Sequence, residues 1–210
     1  LGGEYSTWNE TSYYERKLVL CYNLMGDPEE IAGRKRSGYN LTIRVVDLNG
    51  NPVEGASIRI LHDFLPEKIL LSNASGEASC KIAGEVRVYA WKDDYGGFKE
   101  LFVDNNTKVT VRLEVRVNVS SCEPYYYWED VAKFRVRVLN LTSGLGVGPF
   151  QFSWTVSGSG IIGGGCGVCN ASGVGEARFF VKPGLEEGYY KFNVTLLYLE
   201  ISGGVLFEVK

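Results

Sequence analysis

Residues 109–119, VTVRLEVRVNV, alternate apolar and polar side chains without a break. Val109, Val111, Leu113, Val115, Val117 and Val119 share one face, and Thr110, Arg112, Glu114, Arg116 and Asn118 share the other. Period two is the signature of a half-buried β-strand and is incompatible with an amphipathic helix. At ~3.3 Å per residue the run would span about 35 Å, long for one strand. The expectation is that the last strand of one β-sandwich runs directly into the first strand of a second, with no loose linker and the stiffness of a short rod.

The same period organises the rest of the chain. In NLTIRVV, Leu41, Ile43 and Val45 point one way; DLNGNP supplies a turn; GASIRIL then places Ala56, Ile58 and Ile60 inward. KILLS, ASCKI, EVRVYAW, FKELFV and KVTVRLEV follow, so about seven strands are expected in 39–115. The second half reads AKFRVRVLN, FQFSWTVSG, GEARFFV, YKFNVTLLYL and GVLFEVK, with a Gly-rich loop around CGVC. In YKFNVTLLYL the expected inward set is Phe192, Val194, Leu196 and Tyr198. No amphipathic helix is visible. The expected class is all-β: an N-terminal arm over 1–38, a sandwich over 39–115 and another over 116–210.

NLTIRVVDLNGNPVEGASIRIL resembles the opening of a transthyretin-like, carboxypeptidase-regulatory-like β-sandwich. Asp47, Asn49, Gly50, Pro52, Val53, Gly55 and Ala56 carry the resemblance, which implies a fold and no particular function. The second half, through FQFSWTVSG and ASGVGEARFFV, is similar to bacterial Ig-like and macroglobulin-type domains.

Asparagine usage points to the compartment. Eight of the twelve Asn occupy N-x-[ST] acceptors: Asn9, Asn40, Asn73, Asn105, Asn118, Asn140, Asn170 and Asn193. With 23 Ser and Thr in 210 residues, chance predicts only about one or two such matches. The reading is a secreted chain coated in N-linked glycan. Asn40, Asn118 and Asn193 fall on the outward parity of their strands, as a glycan requires. The chain starts at Leu1, as a processed or trimmed N-terminus would. One Gln, one Met and one His fit a hot habitat, where thermolabile residues are depleted.

Export favours disulfides among Cys21, Cys80, Cys122, Cys166 and Cys169, with the odd count leaving one unpaired or intermolecular. Cys21 could bridge to a neighbour or to Cys80, and Cys122 could pair with Cys166 or Cys169. The CGVC motif lacks the βαβ setting of a thioredoxin and the further ligands a zinc site needs.

The arm contains KLVLCYNLM, residues 17–25, in which Leu18, Leu20, Tyr22 and Leu24 would line one face of a strand. An apolar strand left in water is an aggregation hazard and must be covered. It packs either on its own domain or, by β-augmentation, on the next molecule. The polar connector GDPEEIAGRKRSG favours donation, because it lets the arm leave its own body. Head-to-tail donation that does not close yields a filament. The arm, two sandwiches and dense acceptors together resemble subunits of archaeal thread-type surface filaments. That resemblance implies donor-strand complementation between copies of the chain and a role in adhesion or cell–cell contact.

The remaining features carry less. Tyr125, Tyr126, Tyr127 and Trp128 crowd into EPYYYWED, read as a loop that covers its own sandwich, meets another subunit or stacks on sugar. RKR at 34–36 reads as solvated, Asp93 and Asp94 as a turn, and His62 as a structural side chain near a strand end. A net charge of −3 gives no basic field for nucleic acid. No run of eighteen apolar residues is present, so no transmembrane helix is expected. No catalytic, cofactor-binding or metal-ligating motif emerges, so the expectation is not an enzyme. The alternative to a filament subunit is a monomeric surface module binding carbohydrate or protein.

Overall fold

The computed structural model describes residues 38–210; the arm, with its 17–25 strand, Asn9 and Cys21, lies outside the described residues. Those described are all-β. Seven strands fill the first half: β1 Tyr39–Val46, β2 Ser57–His62, β3 Leu65–Leu71, β4 Glu77–Ile82, β5 Gly84–Lys92, β6 Tyr95–Val103 and β7 Thr107–Arg112. They overlie the seven runs expected from alternation. The second half contributes β8 Val115–Ser121, β9 Tyr125–Tyr126, β10 Val131–Asn140, β11 Phe150–Ser157, β12 Ile161–Cys169, β13 Val174–Phe180, β14 Gly188–Leu196 and β15 Ser202–Val209.

Three sheets result, ordered β4-β1-β7, β12-β11-β14-β15-β9, and β13-β10-β8-β6-β5-β2-β3. The seven-stranded sheet serves both sandwiches. Its β3-β2-β5-β6 part faces β4-β1-β7 over a core of Leu41, Ile43, Val45, Ile58, Ile60, Val88 and Val111. Its β13-β10-β8 part faces the five-stranded sheet over an aromatic core with Phe134, Phe152, Phe192 and Phe207. Two facing sheets that each bury one side of an alternating strand are the physical content of a sandwich. After β1 the chain turns at DLNGNP on its way to the other sheet, because the Asp47 carboxylate accepts the N–H groups of Asn49 (2.9 Å) and Asn51 (2.8 Å). The Asn51 side-chain amide adds a third bond at 3.0 Å. That amide first, then the Asn51 N–H, holds the Asp47 carboxyl below its ordinary range. Gly50 takes φ 87°, open to glycine at little cost.

The run at 109–119 is not one strand. It breaks at Leu113–Glu114, where the chain changes sheets. β7 lies parallel to β1, and β8 lies antiparallel to β10. The Leu113 N–H still donates to Val46 O (2.8 Å), whereas Glu114 O already accepts from Leu141 N–H (2.7 Å). Inward parity survives the exchange, with Val111, Leu113, Val115 and Val117 all buried. The seven-stranded sheet is continuous across the joint through one pair, Gly96↔Val115 of β6 and β8.

Three expectations are corrected. The Gly-rich stretch is strand β12, not a loop, paired with β11 over its length. Glycine weakens an edge strand unless aromatic rings fill the missing side-chain volume. Trp154 lies directly opposite Gly165, and Phe152 opposite Gly167. A Cβ on Gly165 or Gly167 would stand 2.8 or 2.5 Å from those rings, and one on Gly163 would stand 2.6 Å from Phe179. The Tyr-rich segment contributes β9, which pairs parallel with β15. Tyr198 does not join the inward set of β14; it takes φ 70° in the following turn and stacks on Tyr89 at 5.6 Å. Leu199 and Ile201 are buried in its place. His62 is held structurally: its Nδ1 accepts from Phe64 N–H at 3.0 Å, so Nε2 carries the proton and donates to Ala83 O at 3.0 Å.

Candidate functional site

Among the described residues no helix is long and apolar enough to cross a membrane, and no cluster of His, Cys, Asp and Glu could hold a metal. The chemistry the fold presents is surface chemistry: acceptor asparagines, a sheet edge, an aromatic end and thiols.

Seven acceptor asparagines are described. Asn40 and Asn118 are exposed on β1 and β8, and Asn193 is half-buried on β14. Asn73 and Asn170 precede turns, and Asn140, the last residue of β10, opens one. Each uses its Oδ1 twice, on the N–H groups of Ser75 and Glu77, Thr142 and Ser143, or Ser172 and Val174, at 2.9–3.0 Å. Such Asx turns occupy the amide oxygen and leave out the Nδ2 nitrogen, the atom that carries a glycan. Asn105 differs, its Nδ2 donating to Asp104 Oδ1 at 2.8 Å. Asn118 and Asn193 line one polar cleft of about 410 Å³ with Asp94, Arg116, Lys191 and Ser202.

Among the described residues the seven-stranded sheet ends at β3, whose one strand neighbour there is β2. Along β3 the outward residues are Leu65, Glu67, Ile69 and Leu71: Ile69 is 57% and Leu71 68% exposed, and Glu67 pairs with Arg59 of β2 at 3.6 Å. Inward, Leu70 meets the core while Lys68 reaches across to donate to Lys81 O of β4 at 2.8 Å. An edge with apolar side chains and an unpaired backbone is a template for another strand. The alternation of β3 is imperfect, KILL rather than a strict repeat, so sequence reading placed the strand but not this edge.

The aromatic segment divides. Tyr126 is buried, and its hydroxyl donates to Lys133 O (3.0 Å), contacts Ser121 Oγ (3.0 Å) and accepts from Glu123 N–H (3.2 Å). Tyr125, Tyr127 and Trp128 remain exposed. Lys210 Nζ lies 4.2 Å from the Tyr125 ring centre, and Trp128 Nε1 donates to Leu185 O at 2.8 Å. One residue of the four therefore closes its own sandwich, and three face outward.

The four described cysteines, Cys80, Cys122, Cys166 and Cys169, are free thiols, so the disulfides expected among them are not formed. The geometry of β12 explains CGVC. Residues three apart on a strand point to opposite faces; Cys166 is exposed opposite Ser153, and Cys169 is buried opposite Phe150. Cys122 lies in the other layer, its N–H bonded to Lys133 O of β10. Burial pushes the Cys169 thiol up to about 11 and raises that of Cys80. A thiol rather than a thiolate is unreactive. Iodoacetamide at neutral pH should label Cys122 and Cys166 in the native chain and leave Cys169 until denaturant is added. Equal labelling of Cys169 and Cys122 in the native chain, read by peptide mass spectrometry, would contradict this packing.

No family model matches the chain, and no curated protein matches it. Solved structures do. The major pilin SpaD from Corynebacterium diphtheriae aligns at 11% identity over 84% of this chain and 66% of that one, TM-score 0.34. The major pilin subunit BcpA of Bacillus cereus aligns at 11% identity over 81% and 68%, TM-score 0.32. A DUF3823 family protein from Parabacteroides merdae aligns at 8% identity over 83% and 99%, TM-score 0.33. At these scores the chain is similar to them only in being built of β-sandwiches, and the likenesses carry no conclusion about activity or partners.

Proposed function

We propose that the chain is a secreted, N-glycosylated structural subunit of an extracellular surface filament, of the archaeal thread type, serving adhesion or cell–cell contact. Copies join head to tail when the 17–25 segment of one subunit adds to a sheet edge of the next. The carrying observation is the outer edge of β3 among the described residues, with Ile69 and Leu71 exposed beside it. A donated strand there becomes the eighth of the sheet. Main-chain hydrogen bonds supply affinity and alternate side chains supply register. Glycans on the acceptor asparagines would coat the polymer, and chemistry on a substrate forms no part of this role.

Deletion of residues 1–25 should abolish polymers seen by electron microscopy and leave a monodisperse particle. Polymers of unchanged length after the deletion would end the proposal. Ile69→Lys with Leu71→Lys should likewise cap growth; polymers that need the arm but ignore this pair would move the acceptor to another edge. The second reading is a monomeric binding module, favoured by the outward Tyr125, Tyr127 and Trp128. Glycan-array binding that vanishes in Trp128→Ala, by a chain that never polymerises, would establish it.

A further inference from the structure

The outward side chains of β8, β10 and β13 form a cationic face that the filament reading does not use. Along β10, Lys133, Arg135 and Arg137 are exposed and alternate with buried Ala132, Phe134, Val136 and Val138. Two residues of strand separate successive cations by roughly 6.8 Å. The register sets Arg178 of β13 opposite Lys133, and Glu176 opposite Arg135. On β8 it sets Asn118 opposite Arg137, and Ser120 opposite Arg135. Arg116 extends the face on β8, with Asp94 of the β5–β6 turn in the same cleft, so on these three strands five cations, in a chain of net charge −3, share one carboxylate, Glu176.

That carboxylate is already engaged. Glu176 Oε1 accepts from Arg178 Nε at 2.6 Å, which holds its carboxyl below the ordinary range, with further help from Lys133 and Arg135. Among the described residues, Lys133, Arg135 and Arg137 have no carboxylate within ion-pair distance. Like charges set directly opposite each other, as Lys133 and Arg178 are, destabilise a sheet. The face therefore carries uncompensated charge at a cost to the fold.

We propose that this face binds a linear acidic polysaccharide. A straight row of cations matches a chain whose sulfate or carboxylate groups repeat along its length. Guanidinium groups take such oxyanions in pairs of hydrogen bonds. A single-stranded nucleic acid needs stacking platforms; the β10 row holds no ring, and the Tyr95 ring beside it is covered by the Arg116 guanidinium at 5.8 Å. Phe180 lies beyond the end of the row, opposite Val131.

The test uses the full chain and the full chain carrying Ser120→Ala, which removes the acceptor at Asn118 and leaves every cation in place. Probes are dextran sulfate, neutral dextran and an oligothymidylate. Both chains should bind dextran sulfate at low salt, ignore neutral dextran, and lose affinity steeply as salt rises. Lys133→Ala, Arg135→Ala and Arg137→Ala combined should weaken binding at least ~10-fold at 50 mM salt, about the loss expected when three phosphate-like contacts disappear. The melting temperature should hold or rise, since like charges are removed. Absence of dextran sulfate binding by the Ser120→Ala chain, equal binding by the triple variant, or preference for the oligothymidylate would each overturn the proposal.

Discussion

Phe134→Ala should lower the free energy of unfolding by about 3–5 kcal/mol. The ring is fully buried at the centre of the second core. It stacks on Phe192 at 3.9 Å between centroids with 8° between planes, and meets Phe207 nearly edge-on at 5.1 Å. Tyr126 tilts against it at 6.2 Å. Truncation loses the transfer energy of the ring and leaves a cavity among rings whose own positions are fixed by β14 and β15, so collapse is incomplete. A domain is stable by about 5–15 kcal/mol, so this one change removes a large share. Urea denaturation measures it. Phe134→Leu, which retains much of the volume, should cost clearly less; equal costs, or a loss under about 1 kcal/mol for alanine, would refute this packing.

Gly97→Ala should cost about 3 kcal/mol, the upper end of what overpacking a well-filled site does. A Cβ there would stand 2.0 Å from the Arg112 carbonyl oxygen and 2.9 Å from its carbon. Both are main chain, so no rotamer change relieves the clash, and β6 and β7 must separate. The neighbouring residue, Gly96, makes the one pair that carries the long sheet from β6 to β8. The same variant should therefore loosen the coupling of the two cores and split one calorimetric transition into two. Gly160→Ala, with no atom within 4 Å of the added carbon, is the control and should be near neutral. A single transition with unchanged midpoint for Gly97→Ala would contradict the close approach.

Much of this fold is written in parity. Alternation located the seven strands of the first half and the inward rows of Ile58 and Ile60 or Phe192, Val194 and Leu196, because burial on one face of a sheet imposes period two on any sequence that folds so. The length of the 109–119 run pointed to a passage from one sandwich into the next, but alternation could not place it at Leu113–Glu114, since parity is conserved while hydrogen-bond partners change. It misplaced β12 for a different reason. Glycine counts against a strand locally, and what rescues Gly163, Gly165 and Gly167 are rings of β11 and β13, which only pairing brings near. Tyr126 was indistinguishable from its neighbours until Lys133 and Ser121 stood around its hydroxyl. The acceptor asparagines were legible as a motif, and their turn geometry at Asn73, Asn140 and Asn170 was not. Lys133, Arg135 and Arg137 could be seen to share a side of their strand; that Arg178 and Arg116 stand beside them is a matter of register.

The chain passes from the first core to the second through two residues, Leu113 and Glu114. A fully extended dipeptide reaches only ~7 Å, so the joint holds no slack. Tension across it finds hydrogen-bonded ladders on both sides, β7 on β1 and β8 on β10, and must shear one of them before the molecule can lengthen. A loose tether would stretch first and spare the cores. Here the joint is inextensible, and a pull is borne at once by the sheets themselves.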